Sequence, residues 1–389
     1  MLGQMIGRKR TASEMEDDAF EKQGTRQGSE GGYTNEPDPS LYTVIFPLTP
    51  RRKRILEEKE KDAKILRVYP EKLSYLAIDF AVIPGSRWDS LQRYKNVMVG
   101  AHNGTEIAIG SFAYVNRHLS PPPAPSEDAS EEEKLEHDKA NYYVALLSEI
   151  RASGPSMVSL RVFWLYWPEE LPMGRQPYHG KRELVLSNHV DIIDAETLAA
   201  IAEISRWDEN DDSHETRLGE GYWRQTYDVS KAAHDPRALS KLQKHCICRG
   251  YENPDLEMYK CPGCQTWNHE ACLITAMEQR AWERFETGTL TNELGEGAEN
   301  GTSSRKPSKM TQRALRLILK GEKPWAGKLE GKISRGDEIG VDEDIHVATI
   351  RQLVPQGKDG PVVWRMEMNC LQCNQPLNRT LVRKWPGMS

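Results

Sequence analysis

The chain has 389 residues and a formal charge of −6, with 38% hydrophobic and 28% charged residues, 23 prolines and 29 glycines. That length suits two or three domains, and the composition predicts ordered modules separated by polar, disordered stretches. The negative balance argues against nucleic-acid phosphate as the main partner, so strong direct DNA binding is not expected. No apolar run approaches bilayer length, so no membrane partner is expected. The first residues lack the apolar core of a signal peptide, and the expectation is a soluble intracellular protein.

Residues 1–67 are polar and rich in Gly and Glu, and are expected to be mostly disordered. Two basic runs interrupt them, Arg8-Lys9-Arg10 and Arg51-Arg52-Lys53-Arg54. Such runs serve as nuclear import signals or bind polyanions; the alternative is a solvated run leading into the charged, helix-like ILEEKEKDAKIL. A mainly β module is expected over 68–212, with its core at 88–210. Two β-branched runs joined by His102-Asn103-Gly104 predict a hairpin. The proline-rich and acidic stretch 118–140 is too polar to pack and predicts a surface loop.

Strand character returns in NYYVALLSEIRA and SMVSLRVFWLYWPEEL. In the second, alternation puts Val158, Leu160, Val162, Trp164 and Tyr166 on one face, and Phe163, Leu165 and Trp167 on the other. ELVLSNHVDIID predicts another strand, and AETLAAIAEI a helical turn or two. The acidic WDENDDSHE ends the module, and 213–244 is expected to be a tether.

These strands together resemble a BAH domain, a twisted, β-barrel-like fold. In BAH domains that RVFWLYWPEE, YYVALLSEI and ELVLSNHVD resemble, the positions of Tyr143, Trp164 and Tyr166 form a methyl-lysine cage. The positions of His189 and Asp191 hold the histone peptide beside it. Aromatic faces suit a methylated ammonium, which keeps its charge but hydrates poorly. Trp164 and Tyr166 lie two apart on one strand face, so their rings project the same way. The alternative is that both continue the apolar face begun by Val158, Leu160 and Val162.

All seven cysteines fall in spaced groups: Cys246-x-Cys248, Cys261-x-x-Cys264, His269-x-x-Cys272 and Cys370-x-x-Cys373. Disulfides, a redox pair or a metal site could account for them. An odd count with a histidine at ligand spacing disfavours disulfides, and seven thiolates with one imidazole complete two tetrahedral zinc shells. Two Zn2+ ions are therefore expected, and cysteines committed to zinc fit a reducing compartment.

The ligand order, with Trp267 two residues before His269, resembles a PHD finger, placed at 245–375. The resemblance implies cross-bracing: Cys246, Cys248, His269 and Cys272 on one ion, and Cys261, Cys264, Cys370 and Cys373 on the other. Four ligands each imply structural zinc. The chain departs from the family in the long insertion, 284–360, before Cys370. Between Cys272 and Cys370 a helix in TAMEQRAWERFE, a low-complexity stretch, a short basic helix in MTQRALRLILKG and strands in KPWAGKLEGKI, DIHVATIRQLV and PVVWRMEMNC are expected, with a tail at 376–389 after the finger.

A BAH domain followed by a PHD finger resembles fungal and plant chromatin readers. The resemblance implies a nuclear protein that binds the histone H3 tail on the nucleosome. Readers of this kind are associated with the Polycomb-type mark, trimethylated lysine twenty-seven, and with transcriptional repression. The finger is a candidate second reader, in which Trp267, Tyr251 and Met258 match cage-wall positions of plant relatives. His245 stands where an aromatic often precedes the first ligand, and Trp267 has the alternative role of a packing residue under the zinc. No catalytic constellation is visible, and no Gly-rich phosphate loop follows a strand, so an enzyme is not expected. The rival readings are a RING-like ubiquitin ligase, and a scaffold that recruits a corepressor complex without reading histone marks.

Overall fold

The computed structural model describes residues 90–99, 104–120, 123–209, 221–229, 231, 235–293, 323–335, 345–353, 362–380 and 382, together with the strand backbone of 42–45, 64–66, 80–84 and 383. The chain divides into two compact units, Met1–Lys241 and Leu242–Ser389.

In the first unit, β1 (Tyr42–Ile45), β2 (Lys64–Leu66) and β3 (Phe80–Pro84) form an antiparallel sheet with β3 in the middle. Short apolar runs such as YTVI and FAVIP can pair although the sequence around them is polar, so the first 67 residues are not uniformly irregular. The basic runs, and His102 and Asn103 of the turn, lie outside the described residues.

Next come β4 (Gln92–Tyr94), then β5 (Asn96–Val99) and β6 (Thr105–Ala108), which pair antiparallel as the Asn-Gly signal predicts. A large sheet follows, built from β7 (Phe112–Asn116), β8 (Tyr142–Gly154), β9 (Met157–Tyr166), β10 (Glu183–Asp194), β11 (Leu198–Ala202), β12 (Ile204–Arg206) and β13 (Gly221–Tyr227). Its order is β11-β7-β8-β9-β10-β13-β12, with β4 also paired to β8. The alternation read from the sequence holds. Leu160, Val162, Trp164 and Tyr166 enter one buried cluster with Ala145 and Leu147. Phe163, Leu165 and Trp167 enter a second, with Val144 and Leu146. Both faces of β8 and β9 are therefore core.

Three expectations for this unit are corrected. The stretch 118–140 is not all loop, because α1 (Glu131–Asn141) occupies its end. Ser130 and Glu133 close a reciprocal cap, with Glu133 Oε2 accepting from the Ser130 amide at 2.8 Å and Ser130 Oγ accepting from the Glu133 amide at 3.2 Å. Leu135 is the helix's one buried residue, and the acidic first turn suits the N-terminal end of the dipole. AETLAAIAEI is not a helix beyond the 3-10 turn Ala195–Thr197, since Leu198–Ala202 pairs with β7 and buries Leu198 and Ala202. Pairing with a sheet edge here outweighs the helix propensity of alanine.

The supposed tether, 213–244, contains β13, parallel to β10 and with Tyr222, Trp223, Gln225 and Tyr227 buried. A Cβ on Gly221 would stand 2.6 Å from Ile204 Cδ1, so a larger residue in this strand, which pairs with β12, would require the Ile204 side chain to shift.

Buried polar groups fasten β13. The Arg224 guanidinium donates to Glu183 at 2.9 Å, to Glu209 at 2.7 Å and to the Tyr178 carbonyl at 2.7 Å, and lies 4.7 Å over the Trp207 ring. His179 Nε2 pairs with Gln225 Oε1 at 3.1 Å, and its Nδ1 accepts the Gln176 amide at 3.1 Å. Burial holds the His179 imidazole below the usual histidine pKa. Its folded-state value thus lies below its unfolded one. The stability it contributes is present above the ordinary histidine pKa and is lost as pH falls through the depressed value. An NMR titration should find His179 neutral at a pH where exposed histidines are half protonated. Hydrogen exchange at the Gln176 amide should quicken once Nδ1 is protonated and can no longer accept it.

The second unit contains β14 (Met258–Lys260), β15 (Trp267–His269), α2 (Glu270–Glu286), β16 (Leu329–Arg335), β17 (His346–Gln352), β18 (Val363–Met366) and β19 (Val382–Arg383). One antiparallel sheet runs β15-β14-β19, the other β16-β17-β18. The three strands expected in the insertion form the second sheet, while the short basic helix lies outside the described residues. Leu329, Ile333, Ala348, Ile350 and Met366 of this sheet share one core with Leu273, Met277 and Ala281 of α2.

Buried Glu278 of α2 accepts the Trp325 indole N–H at 2.8 Å and the Gly331 amide at 3.0 Å. The outer edge of β18 is covered as well. Its Arg365 amide donates to Asn292 Oδ1 at 2.8 Å, and its Arg365 carbonyl accepts the Glu293 amide at 2.9 Å.

Candidate functional site

Cys246, Cys248, His269 and Cys272 gather at one place, and Cys261, Cys264, Cys370 and Cys373 at another. Within each group the donor atoms lie within 4.8 Å of one another. These are the two sets implied by cross-bracing, and the distant Cys370 pair does join the second. β18 runs into that pair, so the sheet of the insertion delivers its last two ligands.

Three of the pairs close on a left-handed residue, three positions after Cys246 and four positions after Cys261 and Cys370. The residue after the second cysteine is left-handed in each: Arg249 at φ 55°, Gln265 at 59° and Asn374 at 63°. Its amide donates back to the carbonyl of the first cysteine, at 3.3, 2.9 and 2.8 Å respectively. His269 caps α2, which places Cys272 in the first helical turn on the same side.

The distances fit a tetrahedral ion. At a metal–sulfur distance of about 2.3 Å the tetrahedral edge is about 3.8 Å. The observed separations are 3.3 Å for Cys248 Sγ to His269 Nδ1, 3.9 Å for Cys272 Sγ to His269 Nδ1, 3.4 Å for Cys261 to Cys373 and 3.6 Å for Cys264 to Cys370. His269 Nε2 faces the Tyr251 carbonyl at 3.1 Å, which fixes the proton there and leaves Nδ1 for the ion. Asn268, fully buried, accepts the Leu371 amide at 3.1 Å and donates to the Tyr259 carbonyl at 3.2 Å, which orients the loop bearing Cys370. Each cluster supplies four donors, so neither leaves a protein-free position for chemistry.

The three residues expected to form a cage belong to one hydrophobic cluster on the first unit's sheet, with Tyr143 at its margin. Tyr143 and Trp164 lie with ring centroids 5.7 Å apart and planes at 67°. Tyr166 stacks on His189 at 6.3 Å, with its hydroxyl 2.7 Å from His189 Nδ1. Burial pushes the Tyr166 phenol above its usual pKa, so it stays neutral. Trp164 and Tyr166 are fully buried, at 0% and 1% exposure, whereas Tyr143 is half-buried. Asp191, half-buried, accepts its neighbour Ile192's amide at 2.8 Å.

Two residues absent from the sequence reading complete the group. Tyr227, in the stretch read as a tether, meets Tyr166 at 6.4 Å and 79°. Arg117 lies 4.3 Å over the Tyr143 ring and is held by Glu170 at 2.7 Å and the Tyr142 carbonyl at 2.9 Å. The aromatic content of GYWRQTY is a weak strand signal for the first; no sequence signal marks the second.

In the finger, Trp267 and Met258 are buried at 7% and 1%, and Tyr251 is half-buried. Lys260 approaches the Trp267 ring at 5.5 Å, and Lys244 the Tyr251 ring at 5.9 Å.

No family model matches the chain. It is 31% identical over 137 residues to the chromatin remodeling protein EBS of Arabidopsis thaliana, a stretch that is 35% of this chain and 57% of that one. It is 30% identical over 138 residues to the chromatin remodeling protein SHL of the same plant, covering 35% of this chain and 59% of the relative. The chain thus spans little more than half the length of these curated relatives. Among solved structures it is similar to the yeast Rsc2 BAH domain, with 13% identity and a TM-score of 0.23 over 36% of this chain and 52% of that one. The resemblance read from the sequence is sustained by chromatin-protein relatives, a mainly β module and two Cys/His clusters that could hold metal ions.

Proposed function

We propose that the chain is a nuclear chromatin reader and not an enzyme, with two structural Zn2+ ions in its finger. Its BAH-type module binds a methylated lysine of the histone H3 tail, the Polycomb-type trimethyl mark, and supports repression by recruiting a corepressor complex. The finger, with Tyr251, Met258 and Trp267, is a second histone-binding module. The observation that carries the reading is the contact of the Tyr143 and Trp164 rings beside the buried cluster that also holds Tyr166, with a guanidinium already seated on the Tyr143 face. A ring that attracts Arg117 attracts a methylated ammonium for the same reason. Because Trp164 and Tyr166 are closed to solvent, entry goes through Tyr143 and requires Arg117 to leave its face.

Tyr143→Leu is the informative variant, since Tyr143 is half-buried and leucine keeps apolar bulk while removing the π-face. Binding of a trimethyl-lysine H3 peptide should weaken by about 1–2 kcal/mol, roughly five- to thirtyfold, with the preference over unmodified peptide lost. The melting temperature should hardly change. Parent-like binding with a melting point several degrees lower would make Tyr143 a packing residue and remove the cage. Modified-histone arrays separate this reader from a scaffold, and an autoubiquitination assay separates both from a ligase.

A further inference from the structure

An aromatic group outside both metal clusters lies where α2 meets β18. Trp282 and Phe285 project from α2 with ring centroids 5.8 Å apart and planes within 24° of parallel. Trp364 of β18 meets Phe285 at 6.2 Å and 74°. All three rings pack on the core below and remain partly exposed. The ammonium of Lys328 lies 4.5 Å from the centroid of the Trp282 ring. Lys328 is exposed and makes no ion pair among the described residues, so this indole is the one partner found for its charge. Glu286 lies one helical turn beyond Trp282, exposed and without an ion pair among the described residues. A cation and stacked and perpendicular rings thus share one small surface, with an exposed carboxylate one helical turn along α2.

We infer that Trp282, Phe285 and Trp364 form an ammonium-binding site that takes a lysine side chain of a partner protein, preferentially methylated, with Lys328 as its resident competitor. Methylation keeps the charge while weakening hydration, so a methylated partner lysine gains more from aromatic faces than the strongly hydrated ammonium of Lys328. Glu286 supplies the complementary charge at the rim. Neither the first unit's cage nor the metal clusters share residues with this site.

The test uses the full, metal-loaded chain labelled with 5-fluorotryptophan, with the Trp282 and Trp364 resonances assigned from tryptophan-to-phenylalanine variants. The probe is N-acetyl-trimethyl-lysine methylamide. In Lys328→Met both resonances should shift, at a probe concentration about five- to tenfold lower than the wild type needs. Glu286→Lys should raise that concentration severalfold. Both substitutions are at exposed positions, so folding is not at issue. The neutral analogue with a tert-butyl group in place of trimethylammonium should shift neither resonance. If it binds equally well, the surface is merely apolar and the ammonium site is overturned. Unmoved Trp282 and Trp364 resonances in Lys328→Met overturn it too, including when the Trp164 resonance of the first unit responds. In that last case the cage reading survives and this one fails.

Discussion

Chelation is expected to unfold the second unit and leave the first intact. All seven cysteines belong to the second unit, and Cys261, Cys272 and Cys370 sit in its hydrophobic core beside Leu273, Trp325 and Met366. A structural zinc site is worth about 10–16 kcal/mol of apparent binding energy near neutral pH. That matches or exceeds the whole margin of an ordinary domain, about 5–15 kcal/mol. Removing the ions therefore removes the closure of both clusters and the anchor of α2, on which the insertion's sheet is packed. Elemental analysis should return two zinc ions per chain. After chelation, amide protection should vanish in β14 to β18 and persist in β7 to β10. A single ion per chain would mean that Cys370 and Cys373 do not close a site in solution. Protection in β16 to β18 that survives chelation would mean that the insertion folds without the finger.

What the sequence made legible follows the strength of each local signal. The Cys/His clusters were legible because donor spacing is nearly independent of the fold around it, and the cross-braced pairing was implied by the resemblance to a PHD finger. The two faces of β9 were legible because a period of two needs no knowledge of the neighbouring strands. The helix at Glu131 was missed although Ser130 and Glu133 spell a capping box, because the stretch is too polar to pack except at Leu135. Tyr227 was missed for a different reason: GYWRQTY becomes a strand through parallel pairing with β10, a contact far away in sequence. The Ala-rich run at 198–202 misled because a sheet edge decided its conformation. The Arg117 and Lys328 cations over aromatic faces have no sequence signature, since each meets its ring only after the chain has folded.

Replacing Arg224 by methionine should destabilise the first unit by about 3–5 kcal/mol, because it leaves two carboxylates buried with no cation between them. Glu183 is fully buried and Glu209 nearly so, and the Arg224 side chain is only 1% exposed. For a unit of this size the melting temperature should fall by about 6–20 °C. Arg224→Lys should recover little, since one ammonium on a flexible stem cannot meet Glu183, Glu209 and the Tyr178 carbonyl as the guanidinium fork does. Adding Glu183→Gln to Arg224→Met should restore part of the loss, because the buried charge goes while a hydrogen-bonding group remains for the Tyr222 hydroxyl. The cluster ties the start of β10 to β13, and those strands carry His189 and Tyr227 against Tyr166. Peptide binding by Arg224→Met should therefore fall at 37 °C and recover towards the parent value at 10 °C, where the variant is folded. Tyr143→Leu should bind weakly at both temperatures. Equal weakness of the two variants in the cold would place Arg224 in the binding site itself, in contradiction to its burial against Trp207.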